Sequence, residues 1–207
     1  LFVDPYGYPN WIEMPSEPFM GTADLAFISM EQSQNRYSSW VNLSQEIAES
    51  EETLLYYSFD NHAPWSRTLN DVSRQSNGAV VGCKWTEGRW AGKGALGFKR
   101  KNDQVRLDLP SHHPELTLGA WIKLDDLNGF AVPIICSDSN SNGSTSWYVN
   151  PEGKLVLELS VNGKPERYES SVAFRKERLG RWMHVATTFD PSSCLLYTSD
   201  AADDTPC

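Results

Sequence analysis

Positive charge is scarce in this chain. Its 207 residues include 18 Lys and Arg against 27 Asp and Glu, a formal net charge of −9, and the one basic cluster is Lys99-Arg100-Lys101. Nucleic-acid binding depends on clustered cations that displace counterions from phosphates, so that partner is not expected. Long apolar runs are missing too. No segment approaches the roughly 20 consecutive apolar residues that span a bilayer as a helix. Cysteine is limited to Cys83, Cys136, Cys194 and Cys207, with no Cys-x-x-Cys spacing. Cys83 and Cys136 leave two readings open, one disulfide or two small buried apolar side chains. Histidine is equally thin: His112 and His113 lie side by side in a turn flanked by Pro110 and Pro114, a poor chelate for zinc.

What the chain does have is a change of texture near residue 53. Residues 1–34 are interrupted by Pro5, Pro9, Pro15 and Pro18 and read as an irregular connector. From Asn35 to Ser50, Tyr37, Trp40, Val41, Ile47 and Ala48 recur at helical spacing, which predicts one amphipathic helix whose aromatic stripe is read first as packing on the adjacent domain and second as a partner-binding face. Beyond the acidic joint at Glu49, Glu51 and Glu52 come short β-rich runs separated by Asn77-Gly78, Asn128-Gly129, Asn142-Gly143, Glu152-Gly153 and Asn162-Gly163. The strands expected are 54–59, 79–85, 95–98, 104–109, 116–124, 131–136, 146–149, 154–161, 167–174 and 182–189. In one of them Leu155, Leu157, Leu159 and Val161 share a face and Val156, Glu158 and Ser160 take the other. Trp182, His184 and Ala186 likewise share a face, and Trp121, Trp147 and Trp182 are expected in the core. Many short strands at close spacing predict an all-β, antiparallel two-sheet β-sandwich of jelly-roll type with a short N-terminal helical extension.

Several motifs occur in a fixed order: Tyr57-Ser-Phe-Asp60, Gly88-Arg-Trp-Ala-Gly-Lys-Gly-Ala-Leu-Gly-Phe98, Val105-Arg-Leu, Leu116-Thr-Leu-Gly-Ala-Trp-Ile-Lys123, Gly153-Lys-Leu and Trp182-Met-His-Val-Ala-Thr-Thr-Phe-Asp190. Together they make residues 54–193 resemble a laminin-G-like domain of the concanavalin A-like lectin/glucanase superfamily. Upstream, Phe2-Val-Asp-Pro-Tyr-Gly-Tyr8 and Arg36-Tyr-Ser-Ser-Trp-Val-Asn-Leu-Ser-Gln-Glu-Ile47 are similar to the joint before such domains in FecR-like envelope regulators of planctomycete-type bacteria. Residues 194–204, Cys-Leu-Leu-Tyr-Thr-Ser-Asp-Ala-Ala-Asp-Asp, resemble a transposase-type sequencing adapter translated in frame. The expected organisation is therefore a connector and helix over 1–53, a C-terminally truncated sandwich over 54–193 and a non-native tail over 194–207. Without Asp200, Asp203 and Asp204 the charge rises from −9 to −6, still acidic. Missing closing strands would leave a sheet edge unpaired.

The resemblance implies a secreted or envelope-anchored, extracytoplasmic recognition or adhesion module that binds a glycan or a protein. Hydrolases of the superfamily set Glu-x-Asp-x-x-Glu along one strand face, so that two carboxyls flank the scissile bond. No such run exists here: Glu158 and Asp108 stand alone, and Asp125 and Asp126 are adjacent. No catalysis is expected, the rival readings being a glycoside hydrolase domain or its accessory module, and a purely structural spacer. His184, within a strand, reads as a sheet-face hydrogen-bonding residue. Trp85 and Trp90, flanking Gly88, are the candidate ligand-stacking residues. Asp60 occupies the position that the resemblance links to a structural Ca2+, with Asn61 and Asp71 as neighbours; hard carboxylate oxygens suit that ion.

Overall fold

The computed structural model describes residues 22–60, 63–73, 76–90, 93–108, 115–127, 129–138, 142–161, 164–172, 174–190 and 195–201. The chain divides into two units at Leu54/Leu55. The first holds helix α1, Thr22–Glu49. It begins well before the Asn35 start that the sequence predicted. Between Pro18 and Glu49 the chain has no further proline, and Thr22–Glu49 has no glycine, so nothing in that stretch breaks a helix. The Tyr37 and Trp40 rings stack with centroids 5.9 Å apart. At the C-terminal end the Ile47 carbonyl accepts from Ser50 N at 3.3 Å and from Thr53 Oγ1 at 2.5 Å, which serves an acceptor the helix itself leaves open.

The second unit is antiparallel throughout its described pairings. Its strands are β1 Thr68–Leu69, β2 Gly78–Val81, β3 Lys84–Glu87, β4 Gly94–Gly97, β5 Gln104–Arg106, β6 Leu116–Lys123, β7 Val132–Cys136, β8 Thr145–Val149, β9 Lys154–Val161, β10 Lys164–Val172, β11 Trp182–Asp190 and β12 Leu195–Ala201. Two larger sheets, ordered β10-β9-β8-β7 and β12-β11-β6, enclose one apolar core, and two smaller ones, β1-β2-β5 and β3-β4, build a second cluster. This is the all-β sandwich with a short helix that the sequence predicted.

Alternation decides what enters the core. Met183, Val185, Thr187 and Phe189 of β11 point inward against Trp147 and Val149 of β8 and Leu155 and Leu157 of β9. Trp147 is fully buried, and its indole N–H donates across the sandwich to Thr187 Oγ1 at 2.9 Å. A buried N–H left without an acceptor costs about 1–3 kcal/mol, which explains a threonine on an otherwise apolar face. The rings of Tyr168 on β10 and Phe189 on β11 meet at 5.5 Å. Val156 lies on the outward side of β9 yet is also fully buried, between Tyr148 and Glu169 in the cross-strand register.

Other differences from the sequence reading have local causes. The run expected as one strand over 79–85 splits into β2 and β3 because Gly82 turns the chain at φ 80, a conformation that side-chain-bearing residues rarely adopt. Residues 54–59 form only an isolated bridge, Tyr57 to Asp71. The Asn162-Gly163 turn lies outside the described residues. Where missing closing strands were expected to leave a sheet edge unpaired, Leu195–Ala201 pairs with β11 from His184↔Ala201 to Asp190↔Leu195.

Candidate ligand-binding surface

The residues of β6 and β11 that do not enter the core make one outward face. Register places Trp121 opposite His184, Lys123 opposite Trp182, Gly119 opposite Ala186 and Thr117 opposite Thr188. The Trp121 and His184 rings meet at 5.2 Å, Lys123 Nζ stands 5.7 Å from the Trp182 ring, and the Thr117 and Thr188 hydroxyls are 3.2 Å apart. Gly119 contributes no side chain. A Cβ built there would stand 3.7 Å from His184 Nε2, so the glycine and Ala186 form a low floor between two indoles and two hydroxyls.

The segment joining β3 to β4 completes this surface. Gly88 N donates to the Lys93 carbonyl at 2.6 Å and Lys93 N to the Trp90 carbonyl at 3.0 Å, which ties Gly88 and Trp90 to Lys93. From this segment the Arg89 guanidinium lies 3.6 Å above the centre of the Trp121 ring and 4.7 Å from that of Trp90. A cation over an indole face is attracted by the ring quadrupole, more strongly where water is thinned out. His184 lies beside it, and burial, followed by the Arg89 charge, holds its pKa below the ordinary 6.5. A neutral imidazole there has one nitrogen to donate and one to accept.

Of the two tryptophans the sequence put forward, the structure brings Trp90 to this surface and places Trp85 elsewhere. Trp85 packs on the second cluster with Leu69, Val80 and Cys83, and its indole N–H donates to the Ser66 carbonyl at 2.9 Å. Trp121 and Trp182, expected in the core, stand half-buried on the outward face; only Trp147 of the three is a core residue. Arg89, Lys123 and Gly119 were not among the expected site residues. The signal for β11 was present, since Trp182, His184 and Ala186 share one parity and Met183 and Val185 the other.

Asp60, the expected metal ligand, faces a cation already carried by the chain. Its Oδ1 lies 2.5 Å from Lys93 Nζ, whose side chain is only 10% exposed. Burial pushes the Lys93 pKa down and the Asp60 carboxylate opposes that push. Asp71 is engaged by other donors: its carboxylate accepts from Tyr56 N at 2.9 Å, Ser73 N at 3.1 Å, Ser73 Oγ at 2.7 Å and Ser76 N at 3.0 Å. Asn61 lies outside the described residues. Ca2+ takes six to eight oxygens, and among the described residues no group of three or more His, Cys, Asp or Glu converges as a metal shell. The described residues around Asp60 do not fit that ion.

The opposite sheet also gathers polar groups on its outward side. Tyr148 OH donates to Glu158 at 2.8 Å, Arg167 pairs with Glu158 at 3.3 Å and Glu169 at 2.5 Å, and Lys154 reaches Glu169 at 3.2 Å. Two carboxylates thus share one guanidinium. Glycoside cleavage needs one carboxyl that stays protonated near neutrality. Arg167 first, then Lys154, hold the Glu169 carboxyl below the usual carboxylate range, the wrong direction for an acid catalyst. Cys83 and Cys136 are free thiols; burial raises the pKa of the Cys83 thiol, which keeps it protonated and unreactive.

Comparison with known proteins adds one match. Residues 99–199 fit the family model Laminin_G_3, described as the concanavalin A-like lectin/glucanases superfamily, and that span contains most of both larger sheets together with Trp121, Trp182 and His184. No curated protein and no solved structure matched the chain. Over residues 99–199, the chain carries a laminin-G-like domain of the concanavalin A-like lectin/glucanase superfamily.

Proposed function

We propose that this chain is a non-catalytic recognition module that binds a saccharide on the outward face of β6 and β11. The observation that carries this reading is the cluster in which Arg89 covers the Trp121 ring and His184 meets that ring at a tilt, on the face that also carries Trp182. Pyranose rings present C–H faces that pack on indoles and hydroxyls that need neutral donors and acceptors. The surface offers Trp182 and Trp90 for the first, with Trp121 held under the Arg89 guanidinium as the anchor between them, and His184, Thr117 and Thr188 for the second. The Gly119–Ala186 floor gives a flat ring a place to lie. The match of residues 99–199 to the lectin/glucanase superfamily model favours the same class of ligand. The ion-paired state of Glu158 and Glu169 speaks against a hydrolase domain.

A module of this kind serves a larger extracytoplasmic bacterial protein, secreted or anchored in the envelope. The resemblance of the N-terminal stretch to FecR-like regulators supports a regulator that senses or adheres through this domain. The site is tested by screening the chain on a glycan array and measuring the best binder by calorimetry against Trp121→Ala and Trp182→Ala. Loss of a stacked indole should weaken binding about tenfold or more, equivalent to about 1.4 kcal/mol. Unchanged affinity in both variants, with far-UV spectra intact, would remove this surface from the proposal.

A further inference from the structure

Asp60 and Lys93 are usually the kind of pair that one would pass over as a surface ion pair of little energetic weight. Three features set it apart. The ammonium is nearly enclosed while the carboxylate is half exposed. Phe59, immediately before Asp60, sits at φ 59, the left-handed region where a bulky residue is strained and persists only if its surroundings hold it. Gly94, immediately after Lys93, approaches the Phe59 carbonyl so closely that a Cβ would collide with that oxygen. The turn at Phe59 and the bare backbone at Gly94 thus bring the carboxylate and the ammonium together from both sides.

Lys93 also closes the loop that carries the recognition residues. Its carbonyl receives Gly88 N and its own N–H reaches the Trp90 carbonyl, so fixing Lys93 fixes Arg89 and Trp90. We infer that the Lys93 ammonium is a built-in cation that does for Asp60 what a bound metal ion would otherwise do, holding Arg89 over Trp121 through the Gly88 and Trp90 backbone bonds and making Asp60 and Lys93 positioning residues of a calcium-independent site. The chain supplies the positive charge, and loading with an ion is not part of the device.

That this is a binding site rests on the saccharide reading, but the readouts contain no sugar, so the two fail separately. The full chain is titrated with Ca2+ by calorimetry and melted with and without EDTA. Near-ultraviolet circular dichroism and tryptophan emission are compared among the parent chain, Lys93→Met and Lys93→Arg, with far-ultraviolet spectra as the check on folding. The expected result is no saturable Ca2+ heat, a melting temperature indifferent to EDTA, loss of the indole signal in Lys93→Met and its retention in Lys93→Arg. Saturable Ca2+ binding that Asp60→Asn abolishes would overturn the inference. So would a Lys93→Met protein with the parent's indole signal. Should Lys93→Met fail to fold, Lys93→Arg decides: a folded arginine variant that has lost the signal counts against a role for the charge.

Discussion

His184 couples the outward face to pH. Burial, then the neighbouring Arg89 charge, lower its pKa in the folded chain below the 6.5 of an unconstrained imidazole. As pH falls the unfolded chain therefore takes up this proton first. Stability decreases wherever the unfolded state binds more protons, so the loss begins near the unfolded value of about 6.5 and continues down to the folded one. Asp103, Asp125 and Glu169 have lowered folded pKa values, so their contributions fade only in the window below about pH 4. The two windows can be separated. Urea midpoints measured from about pH 7.5 to about pH 5 should fall for the parent chain and fall less for His184→Gln. Equal slopes would mean that the imidazole is not held neutral by folding. That His184 belongs to a sheet face was legible in Trp182-Met-His-Val-Ala. The guanidinium above it was not, because Arg89 is distant in sequence and arrives through a loop whose path no local pattern encodes.

At the scale of the strand, the sequence told parity but not polarity. In β11 the set Trp182, His184, Ala186 and the set Met183, Val185, Phe189 were separable by alternation alone, and both are apolar enough to face a core. Packing volume decides between them: methionine, valine and phenylalanine interdigitate with Trp147, Leu155 and Leu157, and the indoles of Trp121 and Trp182 are left outside, where a cation can cover them. Trp147 goes inside because its N–H finds Thr187 there. A glycine in the exposed middle of β6 is the sign that the outer face is used. Glycine in a strand interior is unfavourable by roughly 0.5–1 kcal/mol relative to alanine, and no positive φ excuses it at position 119. Gly119→Ala should be neutral or mildly stabilising to unfolding, since its Cβ meets His184 only at ordinary contact distance. Gly119→Val should keep the fold and raise the floor, weakening saccharide binding about tenfold or more. Calorimetry paired with urea unfolding checks both; a valine variant that binds like the parent would place the ligand elsewhere.

At the scale of the molecule, what matters is how the sheets end. The β10 edge carries Pro165 with Lys164, Glu166, Arg167 and Glu169, and β7 at the other side of that sheet carries Pro133. Proline and charge on an edge discourage another chain from adding a strand. The β11 side of the other sheet has no such protection in its own sequence: Val185, Ala186, Thr187, Thr188 and Phe189 form a β-prone run. Residues 195–201 cover it by backbone pairing along the whole of His184–Asp190. Backbone pairing demands little of a sequence beyond an unbroken, β-capable stretch, and Leu-Leu-Tyr-Thr-Ser meets that demand whatever its origin. This is why a segment that reads as foreign can lie in register with a native strand, and why the sequence reading of an open edge and the structure differ. Removal of residues 191–207 should lower the urea midpoint and give concentration-dependent self-association by light scattering, because β11 would then expose a full row of unpaired N–H and C=O groups. Replacement of 195–201 by an unrelated alternating Thr/Val stretch should restore the parent's light-scattering behaviour. If the shortened chain scatters light as the parent does and keeps its midpoint, β12 contributes nothing to the fold, and the sandwich is held by β6–β11 and the β7–β10 sheet alone.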